Sequence, residues 1–114
     1  MKIEKSSDIP CNPVKMQGAK DVDIRWLISK DDGAQNFLMR LFELKPGGHT
    51  PLHTHPHEHE VFVTEGRGVL TYEGKEHQFS KDYVIFVPGN KEHNFKNTGD
   101  STLKFLCLIP ASAG

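Results

Sequence analysis

The sequence predicts one all-β domain, a small barrel or sandwich. Apolar runs are short, and turn signals recur at intervals of roughly 8–12 residues, the rhythm of such folds. Ten glycines and seven prolines punctuate 114 residues. No segment carries the apolar period of an amphipathic helix. A length of 114 residues suits one domain and buries about two-thirds of the unfolded surface, enough for a core.

Residues 1–20 are polar and aperiodic, with Pro10 and Pro13, and read as an extended arm or edge strand. Residues 21–114 form the barrel. Val22, Ile24, Trp26 and Ile28 alternate with Asp23, Arg25 and Leu27, the period-two pattern of a half-buried strand. Asp31-Asp32-Gly33 marks a turn. Phe37 to Leu44 is a second strand, ending at Pro46-Gly47-Gly48. Glu60-Val61-Phe62-Val63-Thr64 has strong strand composition, and Gly66-Arg67-Gly68 turns the chain. Val69 to Tyr72 and His77 to Phe79 flank a short hairpin signal at Glu73-Gly74-Lys75. Tyr83 to Val87 is closed by Pro88-Gly89-Asn90. His93 to Lys96 and Leu103 to Ile109 are the last strands, separated by Asn97-Thr98-Gly99-Asp100.

Composition narrows the partners. Fourteen basic and fifteen acidic residues give a net charge of −1, so no electrostatic drive toward nucleic acid or an anionic membrane exists. The expected partner is a small molecule. Cys11 and Cys107 are too few for a disulfide framework. Met1 to Pro10 is charged and lacks the apolar run of a signal peptide. No stretch approaches the roughly 18 apolar residues of a membrane span, and a cytoplasmic protein is expected.

Five of the seven histidines, His49, His53, His55, His57 and His59, fall within eleven residues. In extended backbone, His53 and His55 share one face. His93 opens a separate strand after a Pro-Gly turn. A transition metal needs three or four convergent neutral nitrogens, and two strands of one barrel can supply them. A helix bearing His55 and His59 one turn apart is opposed by Pro51 and Pro56. The other reading is a histidine-rich surface loop that catches metals adventitiously.

The spacing bears on that choice. Gly47-x5-His53-x-His55-x3-His59-x6-Gly66 resembles the first motif of the cupin superfamily, with histidine at the glutamate position. Pro88-x-Asn90-x2-His93-x3-Asn97 resembles the second, with Asp82 and Asn90 where that motif has glycine. Both replacements tolerate turn conformations. The resemblance covers roughly residues 37–109 and implies a small cupin-type jelly-roll β-barrel with an all-histidine metal site. It implies His53, His55, His59 and His93 as ligands to one divalent transition metal per chain, manganese or iron foremost. Zinc, nickel, copper and cobalt also suit imidazole. It further implies a homodimer in which the N-terminal strand adds to the partner's sheet.

Glu60 competes with His59, because the family also allows four residues before the acid. Choosing Glu60 leaves five residues before Gly66, whereas His59 keeps six. Four imidazoles leave the site of a divalent ion at +2, and a carboxylate lowers it to +1. Ligation needs neutral imidazoles, so metal loss is expected below about pH 6. Four ligands on an octahedral ion leave two adjacent positions for exchangeable ligands.

Other residues carry weaker expectations. His57 is expected in solvent, and His49 and His77 on the surface. Arg40, in an otherwise apolar strand, is either a rim charge or enters the barrel to pair with an anion. Phe42, Phe86, Phe95 and Phe105 are expected in the core, and Cys107 as a buried thiol. Three function classes follow. The first is a metal-dependent enzyme of oxygenase type acting on a small chelating organic substrate. The second is an isomerase or lyase of a small sugar or keto compound, and the third a non-catalytic metal or ligand-binding module. Fold analogy does not choose among them.

Overall fold

Alternating sequence becomes nine strands in the computed structural model, which describes residues 1–114. They are β1 (Asn12–Pro13), β2 (Lys20–Ile28), β3 (Phe37–His49), β4 (His59–Glu65), β5 (Arg67–Tyr72), β6 (Lys75–Ser80), β7 (Val84–Val87), β8 (His93–Asn97) and β9 (Leu103–Pro110). Three single 3₁₀ turns, at Ser6–Asp8, Lys30–Asp32 and Ala111–Ala113, are the only helical pieces. No helix is long and apolar enough to cross a membrane.

All pairings are antiparallel, in the order β6-β5-β8-β3-β9-β4-β7, with β2 on the other edge of β3 and β1 on β2. Residues 37–44 of β3 pair with β9 and residues 39–44 with β2, while His49 at its end pairs with Lys96 of β8. One strand thus runs through both halves of a jelly roll. The strand expected to stop at Pro46 continues to His49. Pairing with β2 jumps from Leu44↔Val22 to His49↔Lys20, so the residues around Pro46 form a wide bulge. Gly47 sits there at φ 81°, where a side chain would strain the backbone.

The core follows strand parity. Leu103, Phe105, Cys107 and Ile109 of β9 are buried, and the residues between them are half-buried. Val61 and Val63 of β4 and Leu38 and Leu44 of β3 meet them in one cluster. Phe95 and Phe105 belong to it, and Phe42 is half-buried against it. Phe86 departs from expectation. In the edge strand β7, Val87 faces the core, so Val84 and Phe86 point outward and are 76% and 57% exposed.

Two departures from the motif glycines have a backbone explanation. Asp82 and Asn90 both adopt left-handed conformations, at φ 74° and 63°, which Asn and Asp tolerate better than most residues. The motif asparagine has a different task. Asn97 is 1% exposed. Its side-chain amide donates to the carbonyls of Leu44 and Ser101 at 2.9 and 2.8 Å, and its oxygen accepts from the Gly99 N–H at 2.9 Å. It therefore ties β8, β3 and the turn before β9 together. Asn97→Ala is expected to cost about 2–4 kcal/mol in urea unfolding, because buried backbone groups lose their partners. A loss below about 0.5 kcal/mol contradicts this role.

Candidate metal centre

Strand parity carries two histidines inward. His59 opens β4 on the face of Val61 and Val63, and it is buried. Glu60, the next residue, is exposed on the opposite face, beside Phe86 of β7 and Leu108 of β9. His93 opens β8 and is 2% exposed. The His53 and His93 backbones exchange N–H···O bonds of 3.3 and 3.2 Å, an isolated bridge that fixes the histidine loop against β8. On the other side, the Asn90 N–H donates to the His55 carbonyl at 2.7 Å. A Cβ on Gly89 would collide with the Pro56 carbonyl oxygen, so glycine permits this approach.

A neutral imidazole has one N–H to place. In His53, His55 and His93 the Nδ1 lies 2.8 Å from a backbone carbonyl, that of Pro51, His57 and Lys91 respectively. Each Nδ1–H therefore donates to a carbonyl and leaves the Nε2 lone pair free, the usual way of orienting a metal-ligating histidine. The rings of His53, His55, His59 and His93 form a cluster with centroid separations from 4.6 to 5.5 Å. Ligand nitrogens of His53, His55 and His93 lie within 4.8 Å of one another, and so do those of His55, His57 and His59. Two nitrogens each about 2.1 Å from an ion and at right angles stand about 3 Å apart. The His55 and His59 Nε2 atoms are 2.8 Å apart. The donor set fits a transition-metal ion.

His59 differs from the other three in having side chains, not a carbonyl, behind it. Its Nδ1 lies 3.1 Å from Cys107 Sγ and 3.3 Å from Arg40 Nη2. His55 Nε2 is an acceptor, so without metal the His59 Nε2–H donates to it and Nδ1 accepts from Arg40. With a metal held at its Nε2, His59 would carry its proton on Nδ1, where Cys107 Sγ would be the acceptor at hand. Cys107 points inward and is 1% exposed, and burial pushes its thiol pKa up.

Burial also favours the neutral form of four of these histidines. Desolvation, followed by its imidazole neighbours, lowers His55 to about 4. Desolvation and then the Arg40 charge lower His59 to about 2. His57 and His93 are lowered as well, desolvation again leading.

The sequence placed His57 in solvent, but the structure turns it inward. Its ring stacks on His55 with centroids 3.7 Å apart and a 4° interplanar angle. The curl of the chain that brings its carbonyl to His55 Nδ1 also brings its ring along. The shared parity of residues 53, 55, 57 and 59 was the available signal. His77 is exposed and His49 half-buried, and neither lines the cavity. The histidines close one part of a cavity of about 440 Å³, walled elsewhere by Trp26, Phe42, Phe95, Phe105 and Ile109, with Arg40 among them. Trp26 as a wall was not anticipated, because it lies near the end of a strand that otherwise reads as half-buried.

The cupin domain family matches residues 40–109. The oxalate-binding protein of Thermotoga maritima is 34% identical over 113 residues, 94% of this chain and 92% of that protein. The 1-methylthio-D-xylulose 5-phosphate methylsulfurylase of Rhodospirillum rubrum is 34% identical over 64% of this chain, which spans only 47% of that enzyme. Among solved structures, the polyketide cyclase RemF from Streptomyces resistomycificus superposes with a TM-score of 0.92 at 34% identity, over 97% of this chain and 80% of that one.

The depressed histidines set an acid limit on the metal-free chain. The unfolded chain protonates His55 and His59 near 6.5, while the folded chain resists until about 4 and about 2. Stability from these groups is therefore intact above 6.5 and lost as pH falls through that window. The urea midpoint is expected to drop between pH 7.5 and 4.5, and to drop less in His59→Gln. An equal drop in both proteins contradicts the assignment.

Proposed function

The chain belongs to the cupin domain family, and from that premise we propose that it is a mononuclear metal-dependent enzyme acting on a small chelating organic substrate. The proposed ligands are His53, His55, His59 and His93, and the proposed metal is manganese or iron, with zinc, nickel, copper and cobalt as alternatives. One observation carries the reading. Four imidazoles converge in a cavity of about 440 Å³ whose remaining walls are mainly apolar and which no Asp or Glu lines. Such a volume lies in the usual range for small-molecule sites and exceeds what a two-carbon diacid needs.

A bound divalent ion supplies Lewis acidity to substrate oxygens. The chain's own residues do the rest. Phe42, Phe105 and Trp26 hold an apolar body and exclude water. His57, outside the proposed ligand set, lines the cavity with its neutral form favoured by burial, and would accept a proton from an enolisable carbon.

Within this class the first reading is an oxygenase, in which the substrate is activated beside O2. The likeness to RemF, named a polyketide cyclase, supports a second reading in which an enolisable substrate is cyclised or isomerised without oxygen. Assays of the metal-loaded chain with aromatic and aliphatic 1,3-dicarbonyl compounds, in air and under argon, separate them. Oxygen consumed with product supports the first, and product under argon the second. No turnover with a ligand-induced melting shift overturns both and leaves a binding module. In either enzyme, His57→Gln is expected to lower kcat by about 10²–10⁴ with metal content unchanged.

A further inference from the structure

A guanidinium enters the cavity with no acidic partner. Arg40 lies in β3 between the buried Leu38 and the cavity residue Phe42, on the same inward face. Its Cζ is 4.9 Å from the Phe42 ring centroid and 5.7 Å from that of Trp26. Nη2 meets Cys107 Sγ at 3.0 Å and His59 Nδ1 at 3.3 Å. Nε is buried without a hydrogen-bond partner. None of the chain's ion pairs involves Arg40, although Arg25, one strand away, is paired with Glu43 at 2.9 Å.

Arginine cannot shed its charge. Arg40 is half-buried, and a cation partly withdrawn from water without an anion carries a cost that two aromatic faces offset only in part. A sulfur and an imidazole nitrogen are weak partners for five N–H donors. When His59 carries its proton on Nδ1, Arg40 loses that acceptor too. The missing partner is an anion, and the cavity is open to one from outside.

We propose that Arg40 is the anion subsite of this cavity and pairs with the carboxylate of an organic acid whose aromatic or branched body lies along Trp26 and Phe42. The planar fork of a guanidinium matches the two oxygens of a carboxylate. The inference rests on the proposed function only for the further substrate oxygens that reach the histidines. The subsite itself is a property of the chain without metal. It narrows the substrate class to organic acids with additional chelating oxygens.

Benzoate, its neutral isostere benzamide, and acetate are the probes, titrated into the full chain by calorimetry and by melting shift, metal-loaded and after chelation. Benzoate is expected to bind in both forms, at least tenfold more tightly than benzamide and than acetate. Arg40→Met, which keeps an apolar stem between the two rings, is expected to lose at least tenfold, and Arg40→Lys to recover part. Benzamide binding as tightly as benzoate to the wild type overturns the subsite, whatever the variants do. Acetate equal to benzoate overturns the apolar body. Benzoate lost on chelation assigns the anion to the metal and overturns Arg40. Metal that fails to bind while benzoate still discriminates overturns the proposed function and leaves the subsite standing.

Discussion

Three backbone carbonyls, those of Pro51, His57 and Lys91, decide which nitrogen of His53, His55 and His93 faces the cavity. An imidazole free to rotate or to change tautomer offers a donor as readily as an acceptor, and a cluster of such rings has no common chemistry. Tethering each Nδ1–H to main chain turns three flexible side chains into fixed acceptors. The tether holds only if the loop from Thr50 to Glu58 keeps its shape. That shape depends on the His53–His93 bridge, the Asn90–His55 bond and the bare backbone of Gly89.

Electrostatics follows from the same packing. Five histidines line one small cavity, an arrangement that protonation would break by mutual repulsion. For His55, His57, His59 and His93 burial favours the neutral form, which leaves lone pairs available for a cation. Arg40 cannot be neutralised in this way. Its charge stands behind His59, lowers the basicity of that ring, and gives the cavity a polarity that the apolar walls would not have. Neutral imidazoles thus favour a cation, and the guanidinium favours an anion next to it.

Much of this was legible in the sequence, because side chains in a strand alternate and a one-residue slip reverses the face. Six residues between His59 and Gly66, against five for Glu60, was a register argument, and the two residues stand on opposite faces of β4. The left-handed turns at Asp82 and Asn90 were readable from residue type. Other features were not. His57 shares the parity of His55 and His59, but it lies in an irregular loop, where parity alone does not fix a side chain's direction. Phe86 reads as core because it is aromatic, but an edge strand of four residues has only one covered face. The contacts of Arg40 join β3 to β4 and β9, and no local pattern reports a pairing across sixty-seven residues of chain.

The central claim is that His59 completes a four-histidine metal site in place of the carboxylate usual at that motif position. Elemental analysis of protein purified without added metal and without a nickel column, for the wild type and His59→Ala, tests it most directly. One equivalent per chain of manganese, iron or another divalent transition metal in the wild type, lost in a variant that still folds, is the predicted result. A wild type without metal, or a folded variant with its full complement, contradicts it.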